Sequence, residues 1–369
     1  MTESLVKDEE EEIKTFKDLK EDIIDNDLCC ACGACVSYCE SQSFDVLKLS
    51  DNTPRFKSKA NEDNCTECGV CYFICPQTRP LLESINQKHN IKDQLGPMRD
   101  VLAAKTTTEK IKEIVQDGGI VTTILLYLFK TQQIDAAVVS EYDEKLHPQP
   151  KLIYNKDELR NSAGTRYSIS SQLYPLKDLY NIPSEIIEEK GIFDIDQIRV
   201  AFVGTPCQVR ALRKMQFLSI KPAHVVKYII SLFCYDNFDY DKLYHILKEE
   251  KGITPSEIKK TAIKGRFIIE TLTNEKLEVD LKALDDAVRP NCEKCDDFTG
   301  RFSDVSIGSS GAPDGYSMII PRTTIGEELI KKMLSQNYIT AYIPSKEGLE
   351  WKEKKRKLYK NMISSKEKK

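Results

Sequence analysis

Residues 29–40 read CCACGACVSYCE, and residues 65–76 read CTECGVCYFICP. Cys29, Cys32, Cys35 and Cys39 stand at C-x2-C-x2-C-x3-C spacing, and Cys65, Cys68, Cys71 and Cys75 repeat it. Three thiolates in so tight a loop can grip three irons of one cubane, with Gly33 and Gly69 permitting the turn. The fourth cysteine opens a helix and points at the other cluster. The expected ligation is therefore crossed. Cys29, Cys32, Cys35 and Cys75 would hold one [4Fe-4S] cluster, and Cys65, Cys68, Cys71 and Cys39 the other. Zinc is the competing metal, but it typically takes two separated pairs of ligands. Four cysteines within eleven residues, twice over, fit it poorly. Cys30 is out of register with both motifs and reads as a packed thiol.

Of thirteen cysteines, Cys207, Cys234, Cys292 and Cys295 remain. Cys207 lies in GTPCQVRALRK (204–214), between a strand-like run at 198–203 and a helical stretch at 206–216. Cys234 ends a second apolar run, HVVKYIISLFC. Were those strands parallel, both thiols would lie at the carboxyl edge of a sheet, where α/β proteins build their sites. Residues 292–295 (CEKC) add a C-x2-C hook. A lone cysteine after a strand is commonly a small buried residue, and a lone C-x2-C fits half a zinc site. A nucleophilic cysteine would need a base, and His89, His147, His224 and His245 sit in no recognisable motif. Four thiolates together, in a chain with two cluster motifs already, favour a third [4Fe-4S] cluster.

These residues need elements to position them. The chain has 369 residues, 40% apolar and 30% charged, with net charge −4. That is an ordinary globular composition, and nucleic acid is not an expected partner. No run of about 18 apolar residues exists, so no membrane insertion is expected. The N-terminus is acidic, unlike a signal peptide. Clustered cysteines then read as metal ligands in a reducing compartment. The expected location is the cytoplasm, free or peripheral on a membrane complex. Five segments emerge: an acidic, solvated arm (1–27), the cysteine-rich domain (28–80), a connector (81–98), a domain of alternating strands and helices (99–345) and a basic tail (346–369). Strands are expected at 135–140, 198–203 and 224–234, and helices at 109–115, 119–130, 206–216 and 240–250.

Residues 28–80 resemble a bacterial-type two-cluster ferredoxin domain, with Glu40 where proline usually follows the fourth cysteine and Pro76 keeping that position. Residues 99 to about 330 resemble the beta subunit of coenzyme F420-reducing hydrogenase and its relatives. These include the input subunits of F420H2 dehydrogenases and plant hydroxymethyl chlorophyll reductase. The resemblance rests on DGGIVTTIL (117–125), AGTRYSISS (163–171), GTPCQVRALRK (204–214), LFCYDNF (232–238) and CEKCDDFTGRFSDVSIGSSGAPDGYSMIIPRT (292–323). The implied fold class is α+β: a two-cluster ferredoxin-like domain, then an α/β flavin-binding domain with a mixed, largely parallel sheet.

The resemblance implies FAD, and a cubane on Cys207, Cys234, Cys292 and Cys295 beside it. For the flavin and its phosphates the candidates are Gly118, Gly119, Thr122, Thr123, Gly164, Thr165, Arg166, Tyr167, Gly204, Thr205, Pro206, Gln208, Gly308, Gly311 and Gly315. Glycines before a helix let a phosphate reach free backbone N–H groups. Asp117 stands where the family has serine, Arg166 where lysine is common, and Ser309-Ser310 interrupt the family's Gly-Asp-x-Gly. An anionic deazaflavin asks for a basic site, for which Lys264, Arg266 and Arg322 are the candidates. The implied function is electron exchange between coenzyme F420, or another small redox substrate, and a one-electron partner protein or subunit. No protein acid or base is assigned. A ferredoxin-fed flavin reductase of an organic substrate and a non-catalytic relay subunit are the alternatives.

Overall fold

The computed structural model describes residues 13–344 and 348–366. Residues 1–12 of the expected acidic arm, and 346–347 and 367–369 of the expected basic tail, lie outside them.

Among the described residues, thirteen strands run in chain order: β1 (Leu47–Ser50), β2 (Thr53–Phe56), β3 (Leu102–Thr106), β4 (Ala136–Tyr142), β5 (Pro148–Ile153), β6 (Val200–Gly204), β7 (Val226–Leu232), β8 (Ile258–Ile263), β9 (Phe267–Thr271), β10 (Lys276–Val279), β11 (Val305–Gly308), β12 (Ser317–Pro321) and β13 (Ile339–Ala341). Eight of them form one sheet, ordered β13-β3-β12-β11-β7-β6-β4-β5. The centre, β11-β7-β6-β4, is parallel. The flanking pairs are antiparallel. The sheet is mixed, as expected, but it is parallel only at its centre rather than largely parallel. Short returns after β4 and β11 permit only antiparallel pairing, because a parallel return needs a long crossover.

Every residue of β6, Val-Ala-Phe-Val-Gly, is buried, as a strand covered on both faces requires. Its side chains alternate. Val200 and Phe202 join Ala136 and Val138 on one face. Ala201 and Val203 join Ala137 and Val139 on the other. Helix Pro206–Phe217 covers the first face through Val209, Leu212 and Met215, and Cys30, Cys32, Ala34 and Ile74 pack into that same layer. Helices Ile120–Lys130 and Thr324–Ser335 cover the second. Part of the cysteine-rich segment therefore shares a core with the large domain, while Cys35, Val36, Cys39, Val46, Leu47 and Cys71 form a core of their own. A three-stranded sheet, β10-β9-β8, stands apart with helix Tyr240–Lys251 against it.

Both charged ends depart from expectation. In the acidic arm, Thr15 caps helix Phe16–Leu19. Phe16, Leu19 and Ile23 are buried among Cys35, Cys39 and Cys71. In the basic tail, helix Gly348–Lys366 buries Tyr359, Ile363 and Lys366. Each stripe follows helical spacing. Charge content described the exposed faces of these segments and hid the apolar ones.

Candidate redox site

The two cysteine motifs fold alike. Gly33 (φ +82°) and Gly69 (φ +72°) are left-handed N-caps of helices Ala34–Ser41 and Val70–Ile74. An added Cβ would lie 3.0 Å from Tyr174 N at the first and 2.5 Å from Ile13 at the second. A largely apolar cavity is walled by Cys29, Cys32, Cys35 and Cys75, with Leu19, Ile23 and Cys30 beside them. That is one of the crossed sets. Burial pushes the Cys35 thiol well up, with Cys29, Cys71 and Cys75 adding to it. It pushes Cys75 up to about 11. Cys39 is likewise raised by burial and faces Cys65 and Cys68. Cys71 faces Cys68, Cys65 and Cys39. Cys68 is the exposed member of that second set.

The remaining four thiols also meet. Cys207 follows the carboxyl end of β6, and Cys234 the carboxyl end of β7. Helix Pro290–Glu293 and the residues after it bring in Cys292 and Cys295. Burial raises Cys234, and Cys292, Cys207 and Cys295 all face it. Burial pushes Cys292 up to about 12. A buried thiol ionises only against a compensating cation, and multiply charged iron supplies one. Among the described residues, no three His, Cys, Asp or Glu groups lie close enough together for a single metal ion. A cubane spreads its ligands wider, because each thiolate binds a different iron.

Three contacts join this edge to the cysteine-rich segment. Cys30, expected to be a packed thiol, is 2% exposed and packs in the apolar layer that also holds Cys32 and borders Cys207. Lys214, two turns along the helix that starts at Cys207, is fully buried and donates to Cys75 O (2.6 Å) and Thr78 O (2.8 Å). Arg289, three residues before Cys292, donates to Cys29 O at 2.9 Å. Glu40, standing in the place of the usual proline, pairs with Lys177 at 3.2 Å. Beside Cys295, Arg210 and Arg301 converge on Asp296 and, against its burial, hold the carboxylate well below its usual range.

The expected flavin residues ring the same edge. Gly118 is pressed into the sheet: an added Cβ would lie 2.4 Å from Ala104 O. Gly119 caps helix Ile120–Lys130, and Thr123 is spent on Gly119 O. Thr122 is half-buried in the first turn. Thr205 N donates to Gln208 Oε1 (2.9 Å), and Gln208 Nε2 to Ser170 O (2.6 Å), which ties the 204–214 motif to the 163–171 motif. Gly204 and Pro206 complete that buried turn. Arg166 caps the carbonyls of Ser162, Ala163 and Gly164 and lies 4.6 Å over the Tyr142 ring. Thr165 O accepts from Tyr142. Tyr167 Oη accepts from Ile263 N and Gln116. Gln116 Oε1, Ser140 Oγ, Glu141 Oε1 and Arg166 Nε are buried here without a partner. Unmet donors and acceptors around one aromatic pair are what a polar ligand would satisfy.

The late glycines are otherwise employed. Gly308 makes room for Phe233, and Gly311 for Leu358 of the last helix, while Gly315 has open space beside it. Of the basic candidates, Lys264 is half-exposed and sits 3.7 Å from Asp117, so the residue that replaces the family's serine has a cation beside it. Arg266 is exposed and pairs with Glu278 and Asp280. Arg322 is corrected: it is 3% exposed and its donors reach Ser306 Oγ, Leu95 O, Pro97 O and Thr299. It braces the scaffold. Lys214 and Arg289 were missed because their partners lie far away in sequence, whereas Cys30 is the packed thiol expected of it.

Residues 198–347 match the C-terminal region of the coenzyme F420 hydrogenase/dehydrogenase beta-subunit family, and residues 101–177 match its N-terminal region. The chain belongs to this beta-subunit family. An uncharacterized protein of Methanocaldococcus jannaschii is 32% identical, over 89% of this chain and 92% of its own. The coenzyme F420-dependent sulfite reductase of the same organism is 30% identical over 84% of this chain, which spans 46% of that protein. Among solved structures, a chain of the F420-reducing [NiFe] hydrogenase complex of Methanosarcina barkeri superposes with a TM-score of 0.65 at 29% identity, over 75% of this chain and 93% of that one. Such family members are F420-linked oxidoreductases or subunits of them. Among the described residues no helix is long and apolar enough to cross a membrane.

Proposed function

We propose that this chain is an iron–sulfur flavoprotein oxidoreductase that exchanges electrons between coenzyme F420 and a one-electron carrier or partner subunit in the cytoplasm. The observation that supports the reading is the placing of Cys207 and Cys234 after the carboxyl ends of two neighbouring parallel strands, with Cys292 and Cys295 near them, beside a cavity walled by Cys29, Cys32, Cys35 and Cys75, in a chain of this family. Cys29, Cys32, Cys35 and Cys75 would hold one [4Fe-4S] cluster, Cys39, Cys65, Cys68 and Cys71 a second, and Cys207, Cys234, Cys292 and Cys295 a third. FAD would lie against Gln116–Gly119, Tyr142 and Ala163–Tyr167, where the unpartnered polar atoms are. When bound, flavin trades hydride for single electrons and the clusters carry those electrons onward.

The chain's own residues bind, orient and exclude water. Tyr167 and Arg166 offer a rigid aromatic and cationic wall. Lys264 lies beside Asp117 at the mouth of this region and is the residue best placed to meet an anionic substrate. The helix from Cys207 to Lys214 fixes the distance between the third thiol set and the first. No side chain is assigned as acid or base, since hydride exchange between two flavin-like rings requires none.

The test is direct reduction. Without oxygen, one equivalent of F420H2 should bleach the FAD of the loaded protein. Flavin that stays oxidised with F420H2 yet bleaches with reduced ferredoxin would contradict the reading and favour a ferredoxin-fed reductase.

A further inference from the structure

The last helix ends on a buried cation. Lys366 is 1% exposed. Its Nζ donates to Cys234 O at 3.1 Å and to Tyr235 O, and it lies 5.7 Å from the Tyr235 ring centroid. The helix that carries it is pinned along its length. Tyr359 is fully buried, packs on Phe233 and Phe298, and donates to Ser310 O. Leu358 fills the space beside Gly311. The neighbouring turns are exposed and basic, with Lys354, Lys357 and Lys360 among them. Among the described cations of the helix, Lys366 alone is turned fully inward.

A buried ammonium held only by two carbonyls is costly, and such charges persist when an anion faces them. Three thiols lie within electrostatic reach of this one, Cys234, Cys295 and Cys292, as does the Asp236 carboxylate. Neutral thiols would give it little. Four thiolates around a cubane would leave a net negative charge at that place, and one added electron would increase it.

We propose that Lys366 is the fixed counter-charge of the third thiol set, held there by the C-terminal helix to stabilise the one-electron-reduced form of the cluster. The inference rests on the reading of Cys207, Cys234, Cys292 and Cys295 as ligands. It makes Lys366 a positioning residue, acting through the cluster rather than touching substrate. Net charge and hydrogen bonding near the sulfurs are established levers on cluster potential. Reduction adds one electron and, with a permanent cation in place, needs no accompanying proton.

The experiment is a spectroscopically monitored redox titration of the full-length, reconstituted protein, with the third cluster's signal identified as the one missing from Cys207→Ser. Lys366→Gln keeps an N–H donor for the two carbonyls and removes the charge. It should make reduction of that cluster at least about tenfold less favourable, about 59 mV for one electron, while Lys366→Arg stays near wild type. A Lys366→Gln potential within about 18 mV of wild type, less than about twofold in the reduction equilibrium, at unchanged iron content, would overturn the proposal. Loss of about four irons in both Lys366→Gln and Lys366→Met, but not in Lys366→Arg, would support it through assembly instead. Equal loss in Lys366→Arg would make the residue a packing element and overturn it. Wild-type protein with about eight irons would defeat the ligand assignment itself, a separate failure visible before any variant is made.

Discussion

Cys207→Ser should carry about eight irons per chain where the wild type, reconstituted without oxygen, carries about twelve. The variant keeps its fold on this account. The turn that presents Cys207 is held by Gln208 bridging Thr205 N and Ser170 O, and the helix behind it by Val209, Leu212 and Met215 in the core. The loss is then specific to one cluster. A serine oxygen is a poorer iron ligand than a thiolate, and the buried site has few means of replacing it. Flavin in the variant should still be reduced by substrate but should no longer pass electrons to a one-electron dye. Retention of about twelve irons would contradict the assignment. Eight irons with one zinc in the wild type would convert the third set into a zinc site.

Arg322→Met should destabilise the protein by about 3–5 kcal/mol. The guanidinium is fully enclosed and satisfies Ser306 Oγ, Leu95 O, Pro97 O and Thr299 O and Oγ1 at once. Methionine fills comparable volume but leaves these acceptors buried and unpaired. The damage would fall where residues 95–97 meet the β11–β12 hairpin. Denaturant titration of the two proteins measures it. A change below about 1 kcal/mol would contradict the structural role and return Arg322 to consideration as a substrate contact.

The two residues show what was legible in the sequence. The two cysteine turns could be read because their pattern is local: Gly33 and Gly69 announce the left-handed residues that open helices Ala34–Ser41 and Val70–Ile74. The central strands could be read because β6, residues 136–139 of β4 and residues 229–230 of β7 are buried and apolar. Helix Pro206–Phe217, expected at 206–216, followed from the proline at its start and its apolar spacing. Arg322 looked like any arginine near a glycine-rich loop, because two of its acceptors are carbonyls more than 200 residues away. Lys214 and Lys366 were hidden for the same reason. Among the described lysines, most of them solvated, two are buried, and only the tertiary fold selects them. The β8–β10 sheet was missed because its strands are short and partly exposed, with a weak alternation. The acidic arm was misread because eleven carboxylates in residues 1–27 obscured a three-residue apolar stripe.

The central claim is that one chain connects a hydride carrier to a one-electron carrier. The most direct measurement is anaerobic oxidation of F420H2 by the reconstituted FAD protein with an oxidised viologen as the acceptor, followed through the deazaflavin absorbance, with Cys207→Ser run beside it. The wild type should sustain turnover and the variant should lose it. No turnover by a wild-type protein that holds FAD and about twelve irons, while reduced ferredoxin still reduces its flavin, would contradict that claim.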